Sequence, residues 1–112
     1  MTASQYVFIE SRDPFESPDT GFVADTAEAL RARGRSVTIF LVQNGVLVTR
    51  SGAARGAHLG RLAGAGVTVF ADDFSLRERG IEAGELWAGV RPASIETLVD
   101  LIVRPDAKTV WH

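Results

Sequence analysis

Four short runs, Tyr6-Val7-Phe8-Ile9, Val37-Thr38-Ile39-Phe40-Leu41-Val42, Val67-Thr68-Val69-Phe70 and Thr109-Val110-Trp111, are built from β-branched and aromatic residues. They constrain the fold more than any other feature. The first three are continuously apolar, the pattern of strands covered on both faces. A meander with one solvated face would place a polar residue at every second position.

The intervals between the runs read as helices. Ser17-Pro18 offers an N-cap followed by proline at N1, with Asp19 in the first turn, where a carboxylate meets the positive end of the helix dipole. Val23, Ala27 and Leu30, with Phe22 beside them, then repeat at helical spacing until Gly34, a residue suited to a left-handed C′ position. Ala53 to Gly64 reads as a second helix with Leu59, Leu62 and Ala63 on one side and Gly56, Gly60 and Gly64 aligned as a smooth stripe. Interior glycine costs up to ~1 kcal/mol against alanine, so the stripe implies a close approach by the sheet or by another subunit. A third helix covers Phe74 to Arg79 and stops at Gly80. A fourth starts at Ser94 as N-cap, carries Glu96 in its first turn, buries Ile95, Leu98, Val99 and Ile102, and ends at Arg104-Pro105. The irregular stretch Ile81 to Arg91 has room for a fifth short strand at Leu86-Trp87-Ala88.

Alternating strands and helices joined by short connections specify one α/β domain over residues 1–112: a three-layer, mostly parallel open sheet of about five strands with helices on both faces. The absence of cysteine removes disulfides, thiolate metal sites and any thiol nucleophile. A net charge of −2 and scattered arginines argue against a nucleic-acid partner. No apolar run reaches the ~20 residues of a membrane span, and MTASQYVFIE lacks a signal-peptide layout, so the expected location is the cytoplasm. Trp87 and Trp111 are expected in the core or an interface.

In an open parallel sheet, ligands bind beyond the carboxyl ends of the strands, near a switch in strand order. Glu10, Ser11, Arg12 and Asp13 leave the first strand, Gln43, Asn44 and Gly45 the second, and Asp72, Asp73 and Ser75 the third. All are expected on one rim. Ser11, Arg12, Asn44, Asp72, Asp73, Ser75 and Arg79 are the candidate ligand-binding residues. The two aspartates have two readings: the one immediately before Phe74 caps the next helix, or the carboxylate pair serves metal or acid–base work. Arg77 and Arg79 are either solvated or anion-binding. His58 has no ligand set around it, so no metal site and no cofactor is expected. Gly-x-Ser-x-Gly, Walker A and GxGxxG patterns are all missing.

The layout also resembles the DsrE/DsrF-like (YchN/Tus-type) family over nearly the whole chain. The resemblance rests on Arg33-Gly34 ahead of Ser36-Val37-Thr38-Ile39-Phe40-Leu41, on the Gln43-Asn44-Gly45-Val46 turn, and on Val67 to Ile81 with its Arg79-Gly80-Ile81 ending, followed by Ser94-Ile95. It implies small α/β subunits assembled as trimers, hexamers or heterohexamers that pass persulfide sulfur between cysteines. By that resemblance the family cysteine falls at Asp72 in one branch and at Ser75 in another. An oxygen at either place cannot carry a transferable sulfane atom. Two expectations follow. In the first, the chain is a non-catalytic subunit or partner-binding protein, a homo-oligomer or a hetero-oligomer with a cysteine-bearing paralogue; a neighbour would then cover the Trp111 edge or the glycine stripe. In the second, Asp72, Asp73 and Ser75 form an acidic site in a small enzyme or ligand-binding protein.

Overall fold

The computed structural model describes residues 5–53 and 55–112. Strands β1 (Gln5–Glu10), β2 (Ser36–Leu41), β3 (Thr68–Asp72), β4 (Val90–Ala93) and β5 (Ala107–Trp111) form one sheet in the order β4-β3-β2-β1-β5. Every pairing is parallel. The helices are α1 (Gly21–Ala32), α2 (Ala57–Gly64), α3 (Asp73–Glu78) and α4 (Ile95–Ile102), with 3-10 turns at Pro18–Thr20, Gln43–Thr49 and Ala83–Glu85. The α/β class and the parallel sheet are as expected from the alternating runs.

Strand order fixes the layers. The connections from β1 through β4 all step the same way across the sheet, so right-handed crossovers put α1, α2 and α3 on one face. Val23 and Ala27 of α1, Leu59 and Leu62 of α2 and Leu76 of α3 share one buried cluster with Phe8, Val37, Ile39 and Val69. The connection from β4 to β5 runs back across the sheet and lays α4 on the other face, where Leu98 and Leu101 cover Val7, Ile9, Phe40 and Val42. Among the described residues, no helix is long and apolar enough to cross a membrane.

Several local expectations are corrected. Ser17 makes no side-chain cap bond; α1 is entered through the Pro18–Thr20 turn, while Gly34 takes the left-handed conformation at φ +80. Phe22 is exposed rather than packed with Val23, and in α4 Ile95, Val99 and Ile102 are exposed while Leu98 and Leu101 are buried. The second helix begins at Ala57, because Gly52 (φ +89) and Arg55 (φ +65) are left-handed and cannot belong to a right-handed helix; Ala54 lies outside the described residues. Only Gly56 of the glycine stripe is closely approached: an added Cβ would lie 2.3 Å from the Val48 carbonyl oxygen and 2.6 Å from Trp87 Nε1. Nothing lies within 4 Å of that position at Gly64. The fifth strand is Val90–Ala93, starting four residues later than expected, and Leu86 makes a single antiparallel bridge to Arg50. β4 tolerates Pro92 because it is an edge strand with a partner on one side only.

Candidate functional site

Parallel strands send their carboxyl ends to one rim, and the loops leaving β1, β2 and β3 are knitted together there. Asp72 ends β3 and caps α3. Its Oδ2 accepts from the Ser75 backbone N–H at 3.0 Å and from Ser75 Oγ at 2.6 Å. The Ser75 hydroxyl oxygen in turn accepts from the Gln43 N–H at 2.8 Å. Gln43 is left-handed at φ +50, a conformation of extra energy held by this bond and by its neighbours. Asp72 and Ser75 are both buried. The cap is made by Asp72 rather than by the aspartate adjoining Phe74, and that aspartate, Asp73, forms an i,i+4 ion pair with Arg77 at 3.8 Å.

Arg79 lies along the same rim. Its Nη2 and Nε reach Asn44 Oδ1 at 3.0 and 3.3 Å, and Nη1 reaches the Ser75 carbonyl oxygen at 3.2 Å. Asn44 Nδ2 approaches Glu16 Oε1 at 3.4 Å. A shallow depression of about 280 Å³ brings Ser11, Arg12 and Asn44 together with Asp13, Glu16 and Ser17. Asp73 is apart from it, in a groove between the starts of α3 and α4 with Phe74, Arg77 and Glu96. Of the seven candidates, Asn44, Asp72, Ser75 and Arg79 are joined by hydrogen bonds and Ser11 and Arg12 border them. Arg77 is the solvated member of the arginine pair, as its largely exposed side chain shows.

A second cluster occupies the switch point itself, where β1 has β2 on one side and the late-arriving β5 on the other. Trp111 is in register with Ile9, which delivers His112 beside Glu10. His112 Nδ1 lies 2.9 Å from both Glu10 carboxylate oxygens, and Nε2 lies 3.3 Å from Asp19 Oδ2. Glu10 is buried and also accepts from the Arg12 N–H at 3.1 Å. The hydrogen bond to Glu10, aided by Asp19 and opposed by burial, raises the His112 pKa above its ordinary value. Asp19 is lowered, first by the Ser17 hydroxyl and then by His112. This cluster is not legible in the runs of apolar residues. Its one signal is the Trp111-His112 ending of a strand, and that becomes informative only once β5 is known to lie beside β1.

The rim hydroxyls and His112 are engaged by neighbouring oxygen atoms. The three rim serines each donate to an oxygen: Ser11 to the His112 carbonyl, Ser17 to Asp19 and Ser75 to Asp72. His112 faces two carboxylates, which stabilise an imidazolium rather than a free base. His58 is half-buried, and burial lowers its pKa. Among the described residues, no group of three or more His, Asp or Glu side chains is placed to hold a metal ion. Glu10 and His58 border a small, partly open pocket of about 30 Å³, lined largely by aliphatic side chains; it has room for about one water.

The model of the DsrE/DsrF-like family matches residues 4–108. Among solved structures, the chain is similar to the YchN protein of Escherichia coli, with a TM-score of 0.87 at 21% identity over 100% of both chains. It is also similar to MTH1491 from Methanobacterium thermoautotrophicum, described as of unknown function (TM-score 0.77, 23% identity, 96% of this chain and 98% of that one). BT1422 from Bacteroides thetaiotaomicron, likewise described as of unknown function, gives a TM-score of 0.80 at 15% identity over 97% and 95% of the two chains. No curated protein matches. At these identities the structural likeness establishes the fold.

Proposed function

The chain belongs to the DsrE/DsrF-like family and contains no cysteine, and from this premise we propose that it is a non-catalytic subunit of a system related to sulfur relay. In this reading it assembles with copies of itself or with a cysteine-bearing relative in the cytoplasm and carries no persulfide. One observation carries the reading. Asp72 and Ser75, where the family resemblance places the cysteine, are buried and bonded to each other as a helix cap. The rim is held in shape by oxygen atoms that have no sulfur chemistry.

Support for assembly comes from the sheet. Five strands at ~4.8 Å span about 24 Å, whereas one helix covers ~10–12 Å. Among the described residues, three helices fill one face and α4 alone lies on the other, where Trp111 is exposed. A neighbouring chain is the ordinary means of covering such a surface. An acidic ligand site at Asp72, Asp73 and Ser75 is less well supported, because two of the three side chains already satisfy each other and only Asp73 faces solvent.

The test has two readouts. After incubation with a low-molecular-weight persulfide donor, intact-mass measurement is expected to show no added sulfur. Native mass measurement is expected to show assemblies above the 12.0 kDa of one chain, either alone or with a cysteine-bearing relative. Covalent uptake of sulfane sulfur by the purified chain would refute the reading.

A further inference from the structure

On the three-helix face, under the connection from β1 to α1, the small pocket beside Glu10 adjoins a second depression. Val23, Ile39, Leu41, Val48 and Leu59 give the pocket an aliphatic lining, with room for about one water or one methyl group. The outer depression is a groove of about 260 Å³. It shares Pro14, Thr20, Ala24 and His58 with the pocket and adds Asp25, Arg55 and Arg61. An apolar recess bordered by a few convergent polar groups is the usual form of a small-molecule site.

The charges around the groove narrow the ligand. Arg61 is paired with Glu28 at 3.7 Å. His58, its pKa lowered by burial, is neutral at pH 7 and adds no charge. Arg55 and Asp25 remain, and among the described residues no opposite charge lies within ion-pair distance of either. Arg55 is nevertheless held in place. Its guanidinium lies 5.1 Å from the centre of the Phe15 ring, and its Nη1 lies 3.5 Å from the Pro14 carbonyl oxygen. The other donors of its fork stay available to a carboxylate. Its backbone is left-handed at φ +65, uncommon for a residue with a side chain, and the next residue, Gly56, packs too closely on the Val48 carbonyl to carry a Cβ. Backbone strain of this kind gathers at ligand clamps. Glu10, at the inner end, is already engaged by His112 and the Arg12 N–H, so it does not compete for a cation. One cation and one carboxylate beside an aliphatic recess match neither a simple anion nor a simple cation. They match a zwitterion with a short apolar group.

We propose that this pocket and groove bind a small α-amino acid, its carboxylate on Arg55, its ammonium on Asp25 and its methyl-sized side chain in the aliphatic recess. The site is separate from the Asp72–Ser75 cap and independent of the subunit reading.

L-Alanine titrated into the intact chain is expected to shift the His58 imidazole proton resonances saturably, with a Kd of about 1 mM or below, within reach of a ligand of about six heavy atoms. Those resonances are identified by their loss in His58→Gln. Propionate lacks the ammonium and ethylamine lacks the carboxylate; each is expected to bind at least about tenfold more weakly, the effect of losing one charged hydrogen bond. Phenylalanine, whose ring exceeds the recess, is expected to bind at least as poorly. Arg55 and Asp25 are exposed, so Arg55→Ala and Asp25→Ala should leave the melting temperature unaltered and each weaken alanine at least about tenfold by calorimetry. Arg77→Ala on α3 should leave alanine binding unchanged. No saturable shift at concentrations about tenfold above that Kd overturns the proposal. So does binding of propionate, ethylamine or phenylalanine as tight as that of alanine, or alanine binding indifferent to both variants. The analogue series is read on the native chain, so it decides the matter even where a variant fails to fold. Sulfur uptake by the purified chain would remove the subunit reading and leave this site untouched.

Discussion

Replacing Asp72 by alanine separates a structural rim from a chemical one. The carboxylate accepts from the Ser75 N–H at 3.0 Å and the Ser75 hydroxyl at 2.6 Å, and it is buried. Loss of an N-cap costs ~1 kcal/mol, and loss of a hydrogen bond to a charged acceptor ~1.5–3 kcal/mol; because both bonds share one partner residue, they do not add fully, and the sum is about 2–3 kcal/mol. Unfolding entropy of ~2.1 cal/mol/K per residue gives about 0.24 kcal/mol/K for 112 residues, so the expected drop in Tm is roughly 9–13 °C. Urea unfolding followed by circular dichroism should show a lower midpoint at an unchanged slope. Asp72→Asn keeps a good capping oxygen and should lose less than half as much. Ser75→Ala should share most of its loss with Asp72→Ala in a double-mutant cycle. A change below ~0.5 kcal/mol for Asp72→Ala, within the range of ordinary surface substitutions, would refute the reasoning.

The glycine stripe gives a sharper contrast. Gly56→Ala should destabilise by ~1–3 kcal/mol in thermal melts, because its Cβ would meet the Val48 carbonyl at 2.3 Å, whereas Gly64→Ala, with open space around it, should be neutral or gain up to ~1 kcal/mol. The two histidines should act oppositely on pH. His112 is raised in the fold, so its stabilising contribution is complete below the unfolded value near 6.5 and disappears as pH rises through the higher folded value. His112→Gln should therefore cost most at acid pH in pH-resolved melts, and a uniform cost across pH would contradict the Glu10 contact. His58 is lowered by burial, so acidification below its unfolded value penalises the fold, and His58→Gln should relieve that acid-side loss.

The sequence by itself determined the layers and the chemistry that is missing. Continuous runs such as Val37 to Val42 had to be buried on both faces, and Gly34 and Gly80 had to end helices in left-handed turns, as their φ values of +80 and +66 show. Those signals are local, within a few residues, so they survive without coordinates. The lack of a thiol is a property of composition alone. Val90–Ala93 escaped notice because an edge strand pairs on one side and needs no apolar run, and its Pro92 reads as a breaker. Only the tertiary structure decided which strand lies beside β1. That order brings His112 to Glu10 across 102 positions and, among the described residues, leaves one sheet face with α4 alone. No local periodicity encodes either outcome, because each depends on the direction in which the chain crosses the sheet between β4 and β5.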